Sequence, residues 1–258
     1  MPSILTERDG TVLRVTLNRP EVRNAFDEQV IASLTSLAAD AAQDHTLRAI
    51  VLAGTGKAFC AGADVAWMSK SIAFSQSENL SDAEDLARML ERLDTLPVPV
   101  IGRIHGAALG GGVGLAAVCD VAIAADDAVF ALSEVKLGIL PAVVAPYVIR
   151  KIGISAAREL FLTGLRFGAV RAKEIGLVHE VVPAAELDGA VARRLAEIMT
   201  AGPRAIATAK ALIREIAGVH PNDVIGLTTN TIAAQRVSDE GQEGLRAFLE
   251  KRKPSWIG

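Results

Sequence analysis

The run Gly110-Gly111-Gly112-Val113-Gly114 constrains this chain more than any other stretch, because four glycines in five positions forbid a regular strand and leave a backbone that can turn sharply or lie against another backbone. A second glycine-rich segment, Gly54 to Asp64, precedes it by about fifty residues, and each follows an extended apolar run: Arg48 to Leu52 before the first, Pro97 to Ile104 before the second. Gly112 to Ala117 also satisfies the dinucleotide pattern G-x-G-x-x-A, with Glu134 about where a ribose-binding acid would fall. That pattern requires a strand running straight into the first glycine and a full helix after the last. Here Ala107-Ala108-Leu109 intervenes and a strand resumes at Asp120, so the context is missing. Gly56-Lys57 fails as a phosphate loop, since Ala58 stands where a magnesium-holding hydroxyl is needed. Glycines ahead of a short helix leave amide donors unpaired at the positive end of its dipole, and two such loops converging would form an oxyanion hole. Close packing alone accounts for the glycines equally well.

Around these loops the periodicities predict an α/β core followed by helices. Leu13, Val15 and Leu17 alternate on one side of a strand that ends in Asn18-Arg19-Pro20-Glu21 turn chemistry. From Asp27, the residues Val30, Ile31, Leu34, Leu37, Ala38 and Ala41 form one helical face, and a buried strand follows at 48–52. The Ser-rich stretch 69–82 reads as a mobile loop, and a helix is expected from Asp82 to Leu96. Further strands are expected at Asp120–Ala124 and Leu177–Val182, with mostly helix beyond Pro141. No internal repeat is legible. The division expected is residues 1–195 as an α/β core carrying the site and 196–258 as a C-terminal helical region.

Composition closes off several functions. Of 258 residues, 27 are basic and 30 acidic, a net charge of −3, so no positive field exists to gather a nucleic acid. The longest uncharged stretches, Gly106 to Cys119 and Leu137 to Ile149, are shorter than the ~20 residues of a membrane helix and carry glycine or proline, so no membrane span is expected. The N-terminus reaches charge too early for a secretion signal, and the two cysteines, Cys60 and Cys119, show neither disulfide nor zinc spacing. A cytoplasmic protein without a metal site is expected.

Four segments in order carry a resemblance: Lys57-Ala58-Phe59-Cys60-Ala61-Gly62-Ala63-Asp64, Gly106 to Gly112, Cys119 to Ala124, and Ala169 to Val178. Together they resemble the crotonase, or enoyl-CoA hydratase/isomerase, family over residue 10 to the last helix. The resemblance implies a spiral of strand-strand-helix units with a helical C-terminal trimerisation region, a homotrimer or homohexamer, and an acyl-CoA substrate. It implies no further cofactor, since coenzyme A is part of the substrate. Its shared step is holding a thioester enolate on two backbone N–H groups, which by the motifs are those of Ala63 and Gly111. Hydratases of the family carry two glutamates; the second position is Glu134 here, and the first is Gly114. One carboxylate suffices either to hold water and protonate the alpha carbon or to carry a proton between the second and fourth carbons. Gly110 to Leu115, Leu132 to Gly138 and Pro141 to Tyr147 look like the bacterial methylglutaconyl-CoA hydratase-type subgroup of leucine and isoprenoid breakdown. A hydratase is therefore expected ahead of a double-bond isomerase, with a non-catalytic acyl-CoA-binding subunit as the reading of another class. Ala142-Val143-Val144-Ala145 is expected to reshape the acyl pocket and Gly114 to free space beside the reacting carbons. By the same resemblance Ala61, Asp64 and Val65 line the coenzyme A path, Arg23 meets a phosphate, and Phe248 and Lys251 of the last helix bind coenzyme A across a subunit contact. His105, His179, Asp120 and Cys60 are read as structural.

Overall fold

The computed structural model describes residues 1–257, and its ten strands and ten helices follow one repeated pattern. The hairpin β1 (Ile4–Asp9) and β2 (Val12–Leu17) leads into α1 (Glu28–Gln43). Three units of strand, strand, helix follow: β3 (Ala49–Gly54), β4 (Ala58–Cys60) and the pair α2 (Val65–Ser71) and α3 (Gln76–Asp94); β5 (Val100–Ile104), β6 (Ala107–Leu109) and α4 (Gly111–Val118); β7 (Val121–Ala125), β8 (Val129–Ala131) and α5 (Ala145–Thr163). In each unit the first strand enters a six-stranded sheet, order β1-β2-β3-β5-β7-β10, and the second enters a four-stranded sheet, order β4-β6-β8-β9. β9 (Arg166–Gly168), α6 (Ala169–Glu174) and β10 (Glu180–Val182) close the spiral. Apart from the β1–β2 hairpin and the antiparallel β8–β9 pair, all pairings are parallel.

Parallel sheets need both faces covered, and the side-chain alternation of β3 shows how that is met. Ile50 and Leu52 point into the main core with Val15, Leu17, Leu34 and Phe59, whereas Ala49 and Val51 point to the other face. There α7 (Leu187–Thr200) lays down Leu187, Ala190, Val191 and Leu195. The boundary expected near residue 195 thus falls within a helix that packs on the sheet; the remaining helices, α8 (Pro203–Ile216), α9 (Ile225–Val237) and α10 (Asp239–Leu249), begin after it. Among them Ala247 is the one helical residue buried in the chain, and Ile213, Leu245, Phe248 and Leu249 stand exposed.

The stretch 69–82 is not a loop. It holds the end of α2, a short turn, and the first turns of α3, which Ser75 starts with a capping box: its hydroxyl accepts from the Glu78 N–H while the Glu78 carboxylate accepts from the Ser75 N–H. These turns are solvated on all sides, with Leu80 exposed, so they present no apolar stripe; the buried stripe of Met89, Leu90 and Leu93 starts only later. The last strand is also shorter than expected, because the N–H groups of Leu177 and Val178 both donate to the Ala172 carbonyl in a turn before β10 begins.

Candidate active site

The two glycine-rich loops lie side by side because β4 and β6 are parallel neighbours in the small sheet. The glycines allow three close approaches. A Cβ on Gly62 would stand 2.7 Å from the Leu109 carbonyl oxygen, one on Gly112 2.2 Å from that of Cys60, and one on Gly111 2.1 Å from Cζ of Phe26. Gly62 and Gly110 also hold positive φ, +88° and +51°, which side chains disfavour. Close packing at these glycines is what brings the two loops together.

Around Ala63 the chain is pinned but its own N–H is left free. Phe26 N–H donates to the Gly62 carbonyl (2.8 Å) and Asp64 N–H to the Phe26 carbonyl (3.0 Å). Gly111 opens α4, so its N–H lacks an intrahelical acceptor, while Gly110 N–H donates to Ala131 at 2.8 Å. Among the described residues neither the Ala63 nor the Gly111 N–H has an acceptor. A Cβ on Gly62 would lie 3.6 Å from the Gly111 nitrogen, so the two segments meet at the free amides.

Glu134 starts a 3-10 turn, Glu134–Leu137, just beyond β8, and its Oε1 lies 3.0 Å from where a Cβ on Gly110 would stand. Its Oε2 is buried with no hydrogen-bond partner. Burial pushes the carboxyl above its ordinary value, and its own backbone N–H opposes this only in part. A carboxyl raised in that way is a stronger proton acceptor than a solvated one.

The other expected site residues separate into groups. Ala61 and the exposed Arg23 are adjacent, the Ala61 N–H donating to the Arg23 carbonyl at 3.0 Å, and Val65 is exposed at the start of α2. With Ala63 they form one rim. Asp64 does not line it: the residue is 6% exposed, its Oδ1 caps α2 by accepting from Ala66 and Trp67, and its Oδ2 takes the Arg19 guanidinium at 2.8 Å. Burial alone would raise this carboxyl, but the Ala66 N–H, Arg19 and the Trp67 N–H hold it below its usual value. Gly114 frees no space. It is buried, and a Cβ there would lie 2.3 Å from Cγ1 of Val144, which fills the place. Phe248 and Lys251 are not brought to the rim within one chain; α10 packs on α8 and α9, and Phe248 is 81% exposed.

The residues read as structural behave so. Asp120 accepts from Val100 N–H and Lys210, and the His179 ring accepts from Ala122 N–H. Cys60 is buried, its thiol pushed up to about 12 by burial, so it is no nucleophile. Sequence reasoning missed Arg19 and Phe26, and it named Val144 only within the segment expected to reshape the acyl pocket, without its contact on Gly114. Arg19 sat in a segment read only as a turn, and an apolar residue just before a helix cap was the one signal for Phe26.

A spiral that alternates strands between two sheets, with a helix opening on the triple glycine, is the crotonase fold. The family model for enoyl-CoA hydratase/isomerase matches residues 7–258. An enoyl-CoA hydratase structure from Shewanella pealeana superposes with a TM-score of 0.95 at 39% identity, covering 98% of this chain and 96% of that one. AtuE of Pseudomonas aeruginosa gives 0.96 at 38% identity, covering 99% and 100%. The 2,3-dehydroadipyl-CoA hydratase of Escherichia coli is 32% identical over 260 residues, covering all of both chains. The chain belongs to the enoyl-CoA hydratase/isomerase family and is an enzyme of that family.

Proposed function

We propose that this enzyme hydrates an enoyl-CoA thioester, with the enolate held by the N–H groups of Ala63 and Gly111 and Glu134 as the one acid/base. The observation that carries the reading is the meeting of two acceptor-free amides beside a buried carboxylate oxygen that also lacks a partner. In the forward direction the Glu134 carboxylate takes a proton from water as the oxygen attacks the beta carbon. Electrons move through the double bond onto the thioester oxygen, where the two amides receive the charge. Glu134 then returns a proton to the alpha carbon and the carbonyl reforms. Loss of one such donor typically costs about 10²–10³ in rate. The reaction calls on no cofactor beyond the coenzyme A of the substrate.

A methylglutaconyl-CoA-like acyl group is the preferred substrate on the resemblance of residues 110–115, 132–138 and 141–147, and the Escherichia coli relative, named as a hydratase, supports hydration. One observation favours a second reading. Val144 fills the place beside Gly114, so no second carboxylate stands there to share the water, and Glu134 alone could shuttle a proton from the second to the fourth carbon of a 3-enoyl chain. The exposed apolar side chains of α8 to α10 support assembly into a homotrimer or homohexamer, in which Phe248 and Lys251 would reach a neighbour's site. Two buried free thiols fit a reducing, cytoplasmic setting; no helix among the described residues is long and apolar enough to cross a membrane.

The test is to incubate purified protein separately with crotonyl-CoA, a 3-enoyl-CoA and 3-methylglutaconyl-CoA, following hydration and double-bond migration. Hydration, fastest with 3-methylglutaconyl-CoA, is expected. Turnover of the 3-enoyl substrate alone would replace hydration by isomerisation, and binding of all three without turnover would make the protein an acyl-CoA-binding subunit.

A further inference from the structure

The two free amides belong to segments far apart in sequence, and their separation is set by residues that offer nothing to a substrate. Phe26 touches both. Its backbone brackets Ala63 through the bonds to Gly62 and Asp64, forming an isolated parallel bridge, and its ring presses on Gly111 so closely that a Cβ there would stand 2.1 Å from Cζ. The ring is backed by Trp67, with centroids 6.2 Å apart and planes at 59°. The segment bearing Phe26 is in turn tied by Arg19. One guanidinium donates to the Ala25 carbonyl (2.7 Å) and to Asp64 (2.8 Å), and pairs with Asp27 at 3.1 Å. Both acids are helix caps, Asp27 of α1 and Asp64 of α2. A single planar group therefore holds the residues on either side of Phe26 and the residue after Ala63.

We propose that Arg19 and Phe26 are positioning residues that fix the spacing between the Ala63 and Gly111 amides; this rests on the oxyanion reading above. Arg19 acts through the caps and backbone it ties, and Phe26 acts as the spacer between the loops. Lysine cannot replace Arg19 fully, because a point charge on a flexible stem cannot serve three acceptors in one plane. Removing the guanidinium alone would strand the Asp64 carboxylate, whose side chain is 7% exposed, so the test uses a paired substitution.

The variants are Arg19→Met with Asp64→Asn, which keeps an acceptor for the α2 cap, Arg19→Lys, and Phe26→Leu. Four quantities are read: kcat, KM, the affinity for a cinnamoyl-type chromophoric CoA thioester, and the red shift of that chromophore on binding, which reports hydrogen bonding to its carbonyl oxygen. The wild-type protein should shift the probe. The paired variant and Phe26→Leu should bind it with affinity within about 3-fold, lose about 10-fold or more in kcat, and lose most of the red shift, with Arg19→Lys between. If the wild type shifts the probe and all variants shift it equally with unchanged kcat, the positioning role is wrong while the oxyanion reading stands. If the wild type itself gives no shift, both fall together. Should the paired variant not fold, Arg19→Lys, which keeps the charge, decides by the same criteria.

Discussion

Replacing Glu134 by glutamine keeps the outline of the side chain and removes its charge, and its effects on stability and on turnover should have opposite signs. In the folded chain Oε2 is buried without a partner. A buried acceptor left unsatisfied costs roughly 1–3 kcal/mol, and more when it is charged. Glutamine retains an amide that is also short of partners, so about half of this should return, roughly 1 kcal/mol, or a rise of about 2–4 °C in Tm for a chain of this size. The dependence on pH follows from the direction of the shift. Because burial raises the folded carboxyl above its ordinary 4.5, the folded chain keeps a proton that the unfolded chain has released as pH climbs through that window. Stability contributed by the neutral carboxyl is full below the ordinary value and lost once pH has passed the raised one. The variant should therefore be the more stable protein at pH 8 and equal to the wild type near pH 4. Urea unfolding midpoints at fixed protomer concentration measure this, and turnover of the preferred enoyl-CoA should fall by about 10²–10⁴ in the same samples. A variant clearly less stable than wild type at pH 8, or a gap that widens on acidification, would refute the burial argument. Retained turnover would remove Glu134 from the reaction.

Gly114→Ala places a methyl 2.3 Å from Val144 Cγ1 and should cost roughly 1–3 kcal/mol, largely recovered by adding Val144→Ala; strictly additive effects in the double-mutant cycle would show that the two do not share that space. Since ionised Glu134 takes the first proton, kcat/KM should decline on the acid side with an apparent pKa above 4.5, and a limb at or below that value would put the base elsewhere. Cys60 and Cys119, both buried with thiols pushed up to about 12, should resist iodoacetamide in the native protein and react in urea; rapid native labelling would contradict their burial. Ser75→Ala removes the capping box of α3 and should lower stability by about 1 kcal/mol, read by urea unfolding, with kcat unchanged.

How much was legible in the sequence depended on whether a signal was local. The helical stripe of α1 and the alternation of β2 could be read because burial imposes a period on neighbouring residues, and Val30, Ile31, Leu34, Val15 and Leu17 are indeed buried. The start of α3 could not, since its first turns bury nothing and rest on a cap whose signal is two side chains. The threefold strand-strand-helix pattern was implied by the resemblance of the motifs but not by periodicity, because each unit solves its packing with different residues and the repeat shows only in the pairing of strands into two sheets.

For the candidate site, the residue types and the loops were set by the sequence itself: only glycine permits the approaches at Gly62, Gly111 and Gly112, and the one acid in the apolar segment after β8 is Glu134. What each residue does was decided by tertiary structure. Asp64, which motif reading placed on the substrate path, is consumed by a helix cap and by Arg19. Gly114, read as open space, is closed by Val144 from thirty residues on. Phe26, marked in the sequence only as an apolar residue before a helix cap, spans both amides. The physical reason is common to all three: a hydrogen bond or a van der Waals contact depends on which atoms lie within a few ångströms, and chain order does not carry that distance until the sheets have brought remote segments together.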